Sequence, residues 1–210
     1  MRHEQLSVGA LTANTISGAL TGNVTGNVTG NVTGDLTGDV TGDINATTAT
    51  AEHGAGAIGT ALTPVTSRRV ENGTIITETK FDLTGLASVA TANDVIGLAA
   101  GGAAYIGRNV VANNGIIYKV ELVCLETPAG GDNDVNVVAA AAADLEYDGA
   151  GGTTYLSNSG DLLAGQTIQN LLPALTANHY FYLTAGTGDT AGTYTAGQYI
   201  LRTYGHAVLA

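Results

Sequence analysis

Between Leu20 and Asp43 six tetrapeptides follow one another without a break, reading LTGN, VTGN, VTGN, VTGD, LTGD and VTGD. Leu20, Val24, Val28, Val32, Leu36, Val40 and Ile44 hold the apolar position of this register, and Gly22, Gly26, Gly30, Gly34, Gly38 and Gly42 hold the glycine position. A period of four misses the 3.6 of a helix and is twice the period of a strand. In an extended chain, Val and Gly then fall on one face, and Thr with Asn or Asp on the other. One such ribbon has no second layer against which to bury its valines. Three copies wound about a common axis solve the problem. Inward valines pack on their symmetry mates, glycines let the backbones approach, and unpaired strand edges disappear. At ~3.3 Å per residue the segment spans at most about 80 Å, which makes it a short stalk.

The doubled unit Val-Thr-Gly-Asn-Val-Thr-Gly-Asn from Val24 resembles the Val-x-Gly octapeptide pattern of the intertwined triple-stranded β-helices in phage tail needles and fibres. That resemblance implies a homotrimer whose stalk core is Leu20, Val24, Val28, Val32, Leu36, Val40 and Ile44. Residues 1–19, with Leu6, Val8, Leu11 and Ile16 among Ser, Thr and Gly, resemble the anchoring N-termini of phage fibres and are expected to form a virion attachment arm. Asp35, Asp39 and Asp43, repeated on three chains, are expected to face outward, because Asn holds the same position at Asn23, Asn27 and Asn31.

Residues 45–69, rich in Ala, Thr and Gly, are expected to be a linker, and residues 70–210 a head domain. Thirty glycines in 210 residues and a charged fraction of 12% point away from helices. Glycine costs a helix interior about 1 kcal/mol against alanine, whereas Thr, Val, Ile and Tyr suit a pleated surface. The expected fold class is all-β: a trimeric intertwined stalk followed by a β-sandwich head of the jelly-roll kind. Strands are predicted over Thr74–Leu83, Asp94–Leu98, Ala103–Arg108, Ile116–Glu126, Asp134–Val138, Leu145–Tyr147, Tyr180–Thr184 and Gln198–Leu209, with glycine-rich breaks between them. Leu162–Leu172 is predicted to hold a short helix. Phe81 to Leu86, Asn93 to Gly97 and Ala104 to Arg108 together resemble the globular heads of structural proteins from aquatic tailed phages.

The net charge of −11, with seven scattered Lys and Arg, offers no phosphate-binding face, so no nucleic-acid partner is expected. No stretch approaches the ~20 apolar residues of a membrane span, and no membrane insertion is expected. The start of the chain lacks the continuous apolar core of an export signal, and synthesis in the host cytoplasm is expected. Cys124, the single cysteine, excludes a disulfide framework and sits in a run that reads as a buried strand.

Candidate chemistry is sparse. Asp132-Asn133-Asp134 lacks the further spaced oxygens of a calcium loop and reads as a solvated turn. Asp144, Glu146 and Asp148 alternate with Leu145 and Tyr147 and read as the wet face of an edge strand. His3, His53, His179 and His206 are far apart in the sequence, and Cys124 has no neighbouring base. Catalytic, cofactor-binding and metal-ligating residues are therefore all expected to be none, and the chain is expected not to be an enzyme. The tyrosines, concentrated after residue 100, are expected to fill the core first and to serve a recognition surface for a host-surface glycan second.

The resemblance implies a trimeric capsid decoration protein or short head fibre on the virion surface, bound to the major capsid protein. The alternative is a tail fibre or tail-associated receptor-binding protein. A bacterial adhesin is disfavoured by the same missing export signal.

Overall fold

The computed structural model describes residues 52–158, 160–171, 175–186 and 190–206. The chain divides after Gly42, and every described residue belongs to the unit Asp43–Ala210. The attachment positions Leu6, Val8, Leu11 and Ile16 and the stalk positions Leu20 to Ile44 lie outside the described residues.

Strands β1 (Val65–Glu71) and β2 (Thr74–Asp82) form a hairpin, followed by the short β3 (Ala87–Ser88) and β4 (Gly107–Arg108). A one-turn helix α1 (Val111–Asn114) leads into β5 (Ile116–Ala129) and β6 (Val135–Ala140). Then come β7 (Thr153–Leu156), β8 (Thr167–Leu171), β9 (Tyr180–Ala185), β10 (Gly192–Thr193) and β11 (Ala196–His206). One sheet has the order β1-β2-β11-β5-β8, the second β4-β9-β6-β7, and β3 pairs with β10. All pairings are antiparallel.

Setting aside β1, β3 and β10 leaves eight strands. Numbered along the chain, they read 1-8-3-6 in one sheet and 2-7-4-5 in the other. This double Greek-key order is that of a jelly roll. The two sheets share one core: Phe81, Val120, Leu122, Cys124, Tyr199 and Leu201 from the first meet Val135, Val137, Leu156, Phe181 and Leu183 from the second. β11 alternates buried and part-exposed residues along its whole length, as a strand with one core face must. β6 is buried on both faces, because Val138 on its outer side joins Val95, Ala104 and Tyr182 in a second cluster beneath the loops.

Several sequence expectations are corrected. Of the helix expected over Leu162–Leu172, the described part, 162–171, is not helical: Gly165, at φ 85°, turns the chain, its N–H bonds Cys124 O at 2.9 Å, and Thr167–Leu171 pairs with β5 as an edge strand. Leu162 nevertheless plugs the core, at 0% exposure. Residues 94–98 bury Val95 and Ile96 but enter no ladder, being tied by isolated bridges and single backbone hydrogen bonds, and residues 145–147 form no strand. Only Gly107–Arg108 of the stretch 103–108 enters a ladder. The boundary expected at residue 69 falls inside β1, whose hairpin turns on Asn72 and Gly73 at φ 47° and 78°. Both left-handed values are those of a type I′ turn, which Asn-Gly favours.

The outer face of the five-stranded sheet carries a ladder of charge across the four adjacent strands β1, β2, β11 and β5. Glu78 on β2 pairs with Arg202 on β11, at 2.5 Å, and with Arg69 on β1. Arg202 continues to Glu121 on β5 at 3.1 Å, and Glu121 also takes Lys119 Nζ at 2.6 Å and the Tyr204 hydroxyl at 2.8 Å. Burial by itself pushes both carboxyls up. Hydrogen bonds from Arg202 and Arg69 to Glu78, and from Lys119, Tyr204 and Arg202 to Glu121, outweigh it and hold both below the ordinary glutamate range. A carboxyl whose folded pKa is depressed stabilises the fold above its unfolded value, and that stabilisation is lost as pH falls through the folded value. The urea midpoint is therefore expected to hold steady down to about pH 4.3, the unfolded glutamate value, and to drop below it. A Glu78→Gln, Glu121→Gln double variant should be less stable at neutral pH and show a shallower acid decline. An unchanged decline would remove the ladder from the account.

Candidate functional site

At the open edge of the sandwich, β1 of one sheet and β4 of the other are end strands, and the segment from Glu52 to Ile58 lies beside them. Its backbone pairs with the stretch before β4: Gly54 N–H donates to Tyr105 O at 2.8 Å and Gly56 N–H to Ala103 O at 2.8 Å. Glycine is required here by proximity. A Cβ on Gly54 would lie 2.0 Å from Ala103 O, and one on Gly56 2.0 Å from Gly102 O. Gly56→Val is expected to destabilise by a few kcal/mol, in the range of overpacking at about 1–3 kcal/mol. A thermal melt checks this.

This close approach sets the wall of a cleft of about 370 Å³ lined by Glu52, Tyr105, Arg108, Val110, Asn113 and Tyr180. The tyrosines, Arg108 and Glu52 are each fixed by a neighbour. Tyr105 meets Tyr180 edge to face at 5.0 Å between ring centroids and Tyr182 at 6.4 Å, so the pair stands on the second apolar cluster. Arg108 lies over the Tyr180 ring at 4.9 Å and donates to Asn178 O at 3.5 Å and Asn178 Oδ1 at 3.4 Å. Glu52 is bound by Arg68 through one oxygen and by Asn113 Nδ2 at 3.5 Å through the other.

The charge balance of the cleft follows. Glu52 is neutralised by Arg68, whereas Arg108 touches only neutral groups and forms no ion pair among the described residues. The cleft thus holds an uncompensated cation in a chain of net charge −11.

The motifs singled out from the sequence fall elsewhere. Asp132 and Asp134 are not a solvated turn, being 1% and 2% exposed. Asp132 N–H donates to Ser88 Oγ at 2.9 Å, Asp132 Oδ1 accepts from Asp134 N–H at 2.9 Å, and Asp132 O accepts from the Tyr194 hydroxyl at 2.7 Å. The loop is ordered by its aspartates and packed under Tyr194. Asp144, Glu146 and Asp148 are exposed, on a loop rather than a strand. His206 stacks on Tyr118 at 4.6 Å, and His3 lies outside the described residues. Among the described residues no group of three His, Cys, Asp or Glu is placed to hold a metal ion.

Cys124 is fully buried, with Sγ 3.2 Å from Glu126 O, and burial pushes its thiol up, away from nucleophilic reactivity. The tyrosines divide: Tyr182, Tyr194 and Tyr199 are core residues, while Tyr105, Tyr118, Tyr180 and Tyr204 are part exposed.

The described residues define a jelly-roll β-sandwich with a polar, tyrosine-lined cleft at its open edge. No protein family, curated protein or solved structure matches the chain.

Proposed function

We propose that this chain is a non-enzymatic structural protein of a bacteriophage virion, a homotrimer displayed on the particle surface as a capsid decoration protein or short head fibre. Residues 1–19 attach it to the shell, where the major capsid protein is the expected partner; residues 20–44 form the trimeric stalk, and the jelly roll is the projecting head. The observation that carries this reading is the uninterrupted Val-Thr-Gly repeat joined to a jelly roll. The repeat has apolar side chains that only other chains can cover, and the jelly roll recurs in viral capsid and lectin domains. The lack of catalysis is supported by the Cys124 thiol being buried and by Glu52, the one carboxylate lining the cleft among the described residues, being tied to Arg68 and Asn113.

Disrupted virions separated into heads and tails test the location. The protein is expected in the head fraction. Recovery in the tail fraction alone would replace the reading with a tail fibre or tail-associated receptor-binding protein, and absence from virions would end both. Light scattering on the full chain is expected to give three times the monomer mass.

A further inference from the structure

A structural role for the chain does not require the cleft beside β4. Its volume of about 370 Å³ falls at the lower end of small-ligand sites, which run from about 300 to 1,000 Å³. Its chemistry narrows the ligand. Tyr105 offers an apolar ring, Tyr180 carries Arg108 over its own, and both hydroxyls donate and accept. Asn113 does the same through its amide, Glu52 can only accept, and Arg108 can only donate. Two of the five guanidinium N–H groups of Arg108 are turned to Asn178 in long bonds, which leaves donors for an incoming anion.

Sulfate would satisfy Arg108 but would meet the Glu52 carboxylate with nothing to donate, and inorganic phosphate has no apolar face for the tyrosine rings. A cationic ligand would meet Arg108 with repulsion. A ligand that carries one anionic group, several hydroxyls and a flat apolar face satisfies every wall at once.

We propose that this cleft binds an acidic saccharide. Its carboxylate is held by Arg108, the apolar face of its sugar ring lies on Tyr105, and its hydroxyls bond Glu52 and Asn113. The site is preorganised, since each of these side chains already has the partner that fixes its rotamer: Tyr182 behind Tyr105, Asn178 behind Arg108, and Arg68 behind Glu52. Three copies on one stalk would raise a weak single-site affinity through multivalency. The inference holds whether the protein sits on the capsid or the tail, because it concerns a cleft within a single head.

The test is calorimetric titration of the full-length protein with oligosaccharides carrying glucuronate, galacturonate or sialic acid, each beside a neutral counterpart of the same length. At least one acidic member is expected to bind about tenfold or more tightly than its counterpart, which is 1.4 kcal/mol. The preference should shrink in high salt. Arg108→Ala should abolish the preference, and Tyr105→Ala should weaken acidic and neutral sugars alike, with circular dichroism confirming that each variant is folded. Arg108→Lys, which keeps the charge without the fork, should recover part of the preference and serves if Arg108→Ala unfolds. No binding by any acidic member overturns the proposal, as does equal affinity for acidic and neutral sugars or a preference unchanged in both Arg108 variants. None of these outcomes bears on whether the protein is found in virions, so the two readings fail separately.

Discussion

Tyr199→Ala is expected to lower the unfolding free energy of the head by about 3–5 kcal/mol, the range for removing a buried aromatic ring. Tyr199 lies on the central strand β11, is 0% exposed, and stacks on Phe81 with ring centroids 5.7 Å apart and an interplanar angle of 14°. Its neighbours across the ladder are Phe81 on β2 and Cys124 on β5, so the ring sits where three strands of the sheet meet the core. Removing it leaves a cavity enclosed by backbone that two ladders hold in place, which limits collapse. Against a total stability of about 5–15 kcal/mol the loss is a large fraction, and at about 2–4 °C per kcal/mol the melting temperature should fall by roughly 10 °C. Tyr199→Phe keeps the stack and is expected to cost less than about 1 kcal/mol. If the two variants melt alike, the ring is not what holds the sheet to its core.

Replacing both Val28 and Val32 with Asp is expected to turn a trimer into a monomer by light scattering. In the proposed stalk these positions face the three-fold axis, so the double change adds six carboxylates to a dry seam with no cation to meet them. Burying an ionised group without a partner costs far more than packed valines contribute, and the chains should part rather than bury the charge. The head should keep its β circular dichroism and much of its melting temperature, because its core is closed within one chain. A variant that stays trimeric and heat-stable would show that residues 20–44 do not hold the trimer. The oligomer would then have to form elsewhere, with the outer face of the five-stranded sheet as the first place to look.

Much of the head is legible in the sequence because its strands alternate. β2, β5, β6, β9 and β11 all lie where β-branched and aromatic residues recur at every second position between glycine-rich breaks. β1 carries a signal that was open to reading, since Asn72-Gly73 between two extended runs marks a two-residue hairpin. Other readings failed because local pattern does not say what will be paired. Val95 and Ile96 are as apolar as a strand requires, yet they are buried under β9 by single bridges rather than by a ladder. A helix is the expectation over Leu162 to Leu172, but the open edge of β5 offered ladder hydrogen bonds to Thr167–Leu171, and Gly165 supplied the turn that delivers them. Asp132 and Asp134 look like surface charge until Tyr194, some sixty residues on, folds over them.

The sequence by itself determined the all-β class and which faces of the main strands turn inward, because each depends on residue type and spacing along a short stretch. Tertiary structure alone decided the jelly-roll order and the cleft. Glu52, Tyr105, Arg108, Asn113 and Tyr180 share no motif and no local period, and they meet only because β9 pairs with β4 while the segment around Gly54 runs against Tyr105. Strand alternation says which face of a strand is buried, but not which distant strand will lie beside it. A site built from several edges at once is therefore fixed only when the edges meet.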